Sequence, residues 1–312
     1  MNKSSLRVIF MGTPEIAAYV FEGMIKDGYH FVGLIAQPDK PVGRKKEIVP
    51  VPTKAVALKY GIPVFQPIKI RLDYAFVKDL QPDVIITMAY GQIVPQGLLD
   101  IPRYGCLNLH GSLLPKLRGA APMQYALING EKETGITLME MIDKMDAGRM
   151  YSTRKVTLSE DETMTTLIEK FKPLALEMIL TDLPLYLDGK LPGVAQEESQ
   201  VTFASMIKAD AEHLNVTLPA EKFCGWVKAL TDHPGGYLVF EEKKVKIFKA
   251  KVVNHEVSAP VGTIVNADRN GLILQVGDGQ VRLLVLQKEG KGRVDAQSFI
   301  NGHPNLTGKV MN

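Results

Sequence analysis

The feature that most constrains this chain is the rhythm of its first half, where short β-branched runs alternate with helical stretches. Arg7-Val8-Ile9-Phe10-Met11 reads as a buried strand, and Gly12-Thr13 turns into a helix opened by Pro14 and Glu15. Thr13 is placed to cap that helix, and Pro14 suits its first position. A strand follows at residues 31–36, a helix near 53–60, a short strand around Val64 and a helix near 73–80. Asp83-Val84-Ile85-Ile86-Thr87-Met88 is the strongest strand, with further strands at 106–110 and 136–141. Strand, helix, strand repeated in this way predicts a parallel sheet covered on both faces. Ligands of such sheets bind beyond the carboxyl ends of the strands.

After Leu187 the grammar changes. Residues 188–193 and the polar stretch to Gln200 read as a linker. Beyond a helical stretch at 220–230, short strands dominate, at 237–240, 244–249, 262–265, 271–276 and 281–287. Gly277-Asp278-Gly279 is the expected hairpin turn between the last two. Five strands at this spacing fit a small barrel of the oligonucleotide-binding kind, and other small barrels as well. A length of 312 residues suits two domains. The predicted class is α/β: a Rossmann-like parallel-sheet domain over residues 1–189, a linker at 190–206, and a smaller OB-like β-barrel domain over 207–312.

Composition narrows the function classes. Hydrophobic residues make up 46% and charged residues 23%, which is ordinary for a soluble globular chain. No apolar run is long enough to cross a bilayer, and the N-terminus leads straight into a strand without a secretory signal. The cytoplasm is the expected address, with no membrane partner. Cys106 and Cys224 are far apart and form no Cys-x-x-Cys pair, so neither a disulfide framework nor a zinc site is expected. The net charge is +3, and its excess lies entirely in residues 207–312, where 14 Lys and Arg face 11 Asp and Glu. Such an excess is compatible with a phosphate-binding surface and equally with an ordinary solvated one.

The first βα turn, Gly12-Thr13-Pro14-Glu15, is not a G-x-G-x-x-G fingerprint, and no Walker sequence occurs. Hydride transfer and ATP hydrolysis therefore lose support. The unusual segment is Asn108-Leu109-His110-Gly111-Ser112-Leu113-Leu114-Pro115-Lys116-Leu117-Arg118-Gly119-Ala120-Ala121-Pro122. In a strand, residues 108 and 110 point to the same side, so an amide and an imidazole project together from a strand end. An amide donor can hold a developing oxyanion, and an imidazole can polarise a carbonyl or relay a proton. An isolated Asn-x-His is more often a turn cap beside a buried histidine. Here Gly111, Pro115 and the glycine- and proline-bearing run 119–122 add a rigid, close-approach loop that core packing alone does not require. A further element is Met141-Ile142-Asp143-Lys144-Met145-Asp146-Ala147-Gly148. Asp146 can orient a histidine or accept a proton from an amine; Asp143 is the alternative, and spacing does not choose between them.

Residues 108–122 resemble the signature of the formyl-folate-dependent formyltransferases. The likeness extends over nearly the whole chain, through Ile9-Phe10-Met11-Gly12-Thr13-Pro14-Glu15, the loop Gln37-Pro38-Asp39-Lys40-Pro41-Val42-Gly43-Arg44-Lys45-Lys46, Ala89-Tyr90-Gly91, and Leu286-Gln287 before a basic loop. The resemblance implies catalysis by Asn108, His110 and Asp146, with Ser112, Leu113, Leu114 and Pro115 against the folate. It also implies that 10-formyltetrahydrofolate is the co-substrate, without a metal. The basic loop points to the tRNA-acting members: Lys40, Arg44, Lys45 and Lys46 are then expected on the acceptor end of methionyl initiator tRNA. Phosphates and unpaired bases suit such a loop, and Lys288, Lys291 and Arg293 form a second basic loop. In this reading residues 1–189 are catalytic, 207–312 bind tRNA, and a monomer is expected.

The chain departs from its relatives in places. Lys144 stands where most have glycine and Ile142 where most have aspartate. The turn Thr231-Asp232-His233-Pro234-Gly235-Gly236 lacks the flanking tryptophan and asparagine of the family. Three other readings share the motif: a 10-formyltetrahydrofolate hydrolase, a sugar-amine N-formyltransferase, and an inactive RNA-binding protein.

Overall fold

The computed structural model describes residues 2–42 and 47–312. The chain divides into two compact units. The first comprises Met1–Pro122, Thr134–Val156 and Ile168–Ala204; the second comprises Met123–Glu133, Thr157–Leu167 and Ser205–Asn312.

The first unit is built on β1 (Arg7–Gly12), α1 (Glu15–Lys26), β2 (His30–Ile35), the hairpin strands β3 (Lys40–Val42) and β4 (Glu47–Val49), α2 (Pro52–Lys59), β5 (Val64–Phe65), α3 (Phe76–Asp79), β6 (Val84–Met88), α4 (Gln96–Leu99) and β7 (Cys106–His110). It continues through β8 (Arg118–Gly119), α5 (Pro122–Ile128), β9 (Glu133–Glu140), β10 (Met150–Thr157), α6 (Met164–Leu187) and β11 (Phe203–Ala204), with α5, β9, β10 and α6 each crossing a unit boundary. The main sheet has the order β10-β9-β7-β6-β1-β2-β5. From β5 to β7 it is parallel, as the alternating sequence predicts. The strand β9 differs: it runs antiparallel to β7, pairing Asn108 with Met139 and His110 with Thr137. Hydrophobic patterning encodes burial rather than strand direction, which is why sequence alone did not separate β9 from the rest.

The core follows from side-chain periodicity. In α1, Ile16, Ala17, Val20, Phe21 and Met24 are buried at helical spacing. The Phe21 ring stacks on Phe10 with centroids 5.0 Å apart and meets Phe31 edge-on at 4.8 Å. Thr13 does not cap α1, which has Pro14 as its N-cap and no side-chain cap bond. Its hydroxyl instead accepts the backbone amide of Gln37 at 3.1 Å, a tertiary use that outcompetes the local one.

The second unit holds α7 (Ala220–Leu230), β12 (Tyr237–Phe240), β13 (Lys243–Asn254), β14 (Ile264–Asp268), β15 (Gly271–Gln275), β16 (Gln280–Lys288), β17 (Val294–Asp295) and α8 (Ala296–Asn301). Its antiparallel sheet has the order β12-β13-β16-β15-β14, with β17 on β16. The expected hairpin joins β15 to β16, where the Val276 amide donates to the Gly279 carbonyl at 2.9 Å. The expected barrel is not closed by strand pairing among the described residues. Tail residues lie along both open edges instead: the Ile264 amide donates to Lys309 at 2.8 Å, and the Asn312 amide to Val239 at 3.1 Å. Phe223, Val227, Leu238, Phe240, Ile247, Leu274 and Leu283 fill the interior. Lys222 of α7 donates to Asn129 at 2.7 Å, within the same unit. No helix among the described residues is long and apolar enough to cross a membrane.

Candidate active site

Alternation along β7 sets the first pair. Leu107 and Leu109 take one face of the strand, while Cys106, Asn108 and His110 take the other. Asn108 lies beside Thr87 of β6 and Met139 of β9. Its amide has no hydrogen-bond partner among the described residues and remains available to a ligand. His110 is 4% exposed, and its Nε2 donates to the carbonyl of Leu117 at 2.9 Å. A carbonyl only accepts, so Nε2 carries the hydrogen. The other ring nitrogen, Nδ1, faces Oδ2 of Asp146 at 3.7 Å. That distance is outside hydrogen-bond range and within that of a charge pair.

Asp146, with a φ of 49°, brings its carboxylate back toward β7. Its Oδ2 accepts the backbone amide of Gly119 at 2.8 Å. Asp143 is exposed, and among the described residues no interaction joins it to His110. The structure therefore brings Asn108, His110 and Asp146 to one strand end and leaves Asp143 outside.

The loop 111–121 is held from within. The Ser112 hydroxyl donates to the Lys116 carbonyl at 2.7 Å, and Thr137 donates to the Ser112 carbonyl at 2.7 Å while accepting the Leu114 amide at 3.2 Å. Ser112 and Leu114 are buried, and Leu113 and Pro115 are half-buried.

The segment expected to be a linker is part of this construction. The Leu117 amide donates to the Thr202 hydroxyl at 2.9 Å and the Arg118 amide to the Thr202 carbonyl at 2.9 Å. β8 and β11 then pair in parallel. At Gly119 a side chain has no room: φ is +123° and an added Cβ would stand 2.5 Å from the Ala204 carbonyl oxygen. Gly148 is equally confined, with the Glu140 carbonyl oxygen 2.0 Å from an added Cβ. Arg118 is 1% exposed. Its Nε donates to Oε1 of Gln196 at 2.9 Å, and its guanidinium meets Glu198 at 2.8 Å. Lys144, one of the departures from the family, reaches the same carboxylate at 3.3 Å. Gln196 in turn donates to the carbonyls of Asp146 and Gly148, each at 2.8 Å. Neither Arg118 nor Gln196 was singled out by sequence, because an isolated glutamine in a polar run carries no local signal.

A second polar cluster lies at the end of β6. Gln37 donates to the Tyr90 carbonyl at 2.9 Å, and Gln92 donates to Gln37 at 3.2 Å while accepting the Ile70 amide at 2.9 Å. Ala89 and Gly91 on either side of Tyr90 both have positive φ, so the Ala89-Tyr90-Gly91 motif is a turn built around these amides.

Of the basic residues, Lys40 is exposed on β3, opposite Val49. Arg44, Lys45 and Lys46 lie outside the described residues. In the second unit Lys288 donates to Nε2 of His303 at 2.8 Å. Arg293 pairs with Asp232 at 2.6 Å and lies over the Phe248 ring, 3.5 Å from its centroid. Thus the unusual turn at 231–236 is tied to the second basic loop by an ion pair. Burial pushes the Cys106 and Cys224 thiols up to about 12, which keeps them protonated and unreactive. Glu221, His255 and Asp278 are the one group of potential metal ligands found close together among the described residues, and all three are exposed.

Both parts of the sequence match a known family. Residues 6–183 match the formyl transferase family and residues 206–304 match the formyl transferase C-terminal domain. Over 300 residues the chain is 39% identical to the methionyl-tRNA formyltransferase of Malacoplasma penetrans, covering 96% of this chain and 94% of that one. The Bacillus velezensis methionyl-tRNA formyltransferase is 38% identical over 308 residues, covering 98% and 97%. Among solved structures, an N-formyltransferase from Helicobacter canadensis superposes with a TM-score of 0.66 at 15% identity, covering 91% of this chain and 99% of that one. A methionyl-tRNA formyltransferase from Clostridium thermocellum superposes at 0.55 and 16% identity, covering 80% and 95%. At those identities the structural likeness establishes the fold alone. The sequence matches span both units, and the chain belongs to the formyl transferase family.

Proposed function

We infer that the chain transfers the formyl group of 10-formyltetrahydrofolate to the α-amino group of methionyl initiator tRNA. The observation that carries this reading is the identity of about two residues in five with methionyl-tRNA formyltransferases across both units (38% and 39%). The clustering of Asn108, His110 and Asp146 at the end of β7 supports it chemically.

The amine attacks the formyl carbon and a tetrahedral oxyanion forms. Asn108, whose amide has no protein partner among the described residues, donates to that oxygen. Preorganised donors of this kind are worth about 2–4 kcal/mol each in a dry site. His110 acts from Nδ1, since its Nε2 hydrogen is engaged by Leu117. Asp146 is the acceptor for the proton that the amine loses. The bond from the formyl carbon to the folate N10 then breaks, and N10 takes up a proton. Ser112, Leu113, Leu114 and Pro115 form the wall against the folate; with Ser112 and Leu114 buried, the wall is presented by Leu113, Pro115 and the loop backbone.

Residues 1–189 carry this chemistry, supported by the segment expected as a linker, which β11 ties to β8, and 207–312 bind the tRNA body. Lys40, Arg44, Lys45 and Lys46 engage the acceptor end. A charged tRNA substrate places the reaction in the cytoplasm, and the enzyme works as a monomer.

The test is to incubate purified protein with 10-formyltetrahydrofolate and methionyl initiator tRNA and assay formyl-methionine. Formylation of charged tRNA, without formylation of free methionine, is the expected result. Release of tetrahydrofolate without transfer identifies a hydrolase, and transfer only to an amino-sugar nucleotide identifies a sugar-amine formyltransferase.

A further inference from the structure

Asp146 occupies the left-handed region of backbone space, with φ at 49°. A non-glycine residue persists there only where its surroundings impose it. The group that grips this backbone is the side chain of Gln196, which is 8% exposed. Its Nε2 gives both hydrogens away, to the carbonyls of Asp146 and Gly148 at 2.8 Å each. Its Oε1 receives the Nε hydrogen of Arg118 at 2.9 Å. The reverse orientation would set an oxygen against two carbonyls and an amide NH2 against a guanidinium, so chemistry fixes the direction of the amide.

Arg118 is a firm anchor, because its own guanidinium is buried and tied to Glu198 at 2.8 Å. The amide therefore transfers the position of a buried side chain onto the carbonyls on both sides of Ala147. Those carbonyls bracket the turn that directs Asp146 Oδ2 to the Gly119 amide at 2.8 Å and toward His110 Nδ1 at 3.7 Å. Gly119 follows Arg118 directly in the chain. The acceptor and the donor of that bond are thus held by neighbouring parts of one buried network.

We propose that Gln196 is a positioning residue for formyl transfer: its buried amide fixes the backbone of Asp146 so that the carboxylate faces His110. The proposal rests on the catalytic reading of Asp146 given above. Leucine at this position fills the space without any polar group. Glutamate keeps the shape and an acceptor for Arg118, but it loses both donors and sets an anion against the two carbonyls.

The test measures kcat and KM for both substrates in Gln196→Leu and Gln196→Glu, with far-ultraviolet circular dichroism to check folding. Both variants are expected to lose about tenfold or more in kcat, with each KM within about twofold of wild type, because the group they disturb acts in the transition state. In an Asp146→Ala background, Gln196→Leu is expected to change the residual kcat by less than about twofold, since no carboxylate is left to misplace. Unchanged kcat in both variants overturns the proposal, as does the same loss with and without Asp146. Failure of both variants to fold also overturns it, because the amide would then serve the fold rather than the aspartate. Absence of transfer by the wild type rejects the functional reading itself, before any variant is compared.

Discussion

Asp146 accepts a hydrogen bond from the backbone amide of Gly119 at 2.8 Å, so the carboxylate is fixed by main chain and faces His110 Nδ1 across 3.7 Å without a hydrogen bond. Asp146→Asn retains an oxygen for the Gly119 amide and removes the charge. It is expected to leave thermal stability nearly unchanged and to lower kcat by about 10²-fold, as loss of a positioned acid–base group does. Calorimetry beside steady-state transfer assays checks this, and a wild-type rate in the variant would exclude a role for the carboxylate.

Asn108 and His110 share a face of β7 but differ in what they do for the fold. The Asn108 amide has no partner among the described residues, so Asn108→Ala is expected to cost little stability and about 10²- to 10³-fold in kcat. His110→Ala leaves the Leu117 carbonyl without its donor in a buried setting. It is expected to abolish transfer and also to destabilise by about 1–3 kcal/mol. Denaturant titration of the pair separates the two effects, and folate binding measured by calorimetry should survive in both.

Gly119→Ala tests the close approach between β8 and β11. The new Cβ meets the Ala204 carbonyl oxygen at 2.5 Å in a backbone conformation that disfavours side chains. We expect a loss of about 2–4 kcal/mol from strain and overpacking, read as a lowered unfolding midpoint. Activity should fall with it, since the Gly119 amide moves away from Asp146.

Acid sensitivity should trace partly to Glu198. Hydrogen bonding to the Arg118 guanidinium holds its carboxyl below the ordinary value of 4.5. A depressed folded value means that the native state binds fewer protons than the unfolded state. The stabilisation is then complete above the ordinary value and is lost as pH falls through the lowered one. Glu198→Gln should therefore lower the plateau above pH 6 slightly and flatten the fall of the melting temperature below about pH 4.5 by the same amount, a small one because the Glu198 carboxylate is exposed. Melting temperatures from pH 3 to 8 in both proteins decide the matter; an unchanged acid limb rules this contribution out.

The parallel strands, α1, α7 and the Asn108–His110 pair were legible in the sequence because each depends on local periodicity and residue type. What was not legible depends on distance along the chain. Whether β9 runs with or against β7 is decided by its connection, not by its pattern. Strand spacing suggested a barrel but did not say whether its edges pair, and the tail at Lys309 and Asn312 fills that role instead. Spacing did not choose between Asp146 and Asp143; the resemblance named Asp146, and the Gly119 amide that holds it lies 27 residues away. Gln196 and Arg118 meet across 78 residues, and no window of sequence contains both.

That separation has a consequence for synthesis. The Leu117 amide finds the Thr202 hydroxyl 85 residues later, and the Asp146 carbonyl finds Gln196 50 residues later. Contacts so remote form only after loop closure over the intervening chain. As the polypeptide leaves the ribosome, the strand bearing Asn108 and His110 can assemble with its neighbours well before Gln196 exists to hold the Asp146 backbone. A nascent chain halted short of Gln196 contains Asn108, His110 and Asp146 but not the amide that holds the Asp146 and Gly148 carbonyls. On the proposal above, competence for transfer comes only with the stretch of chain that carries Gln196.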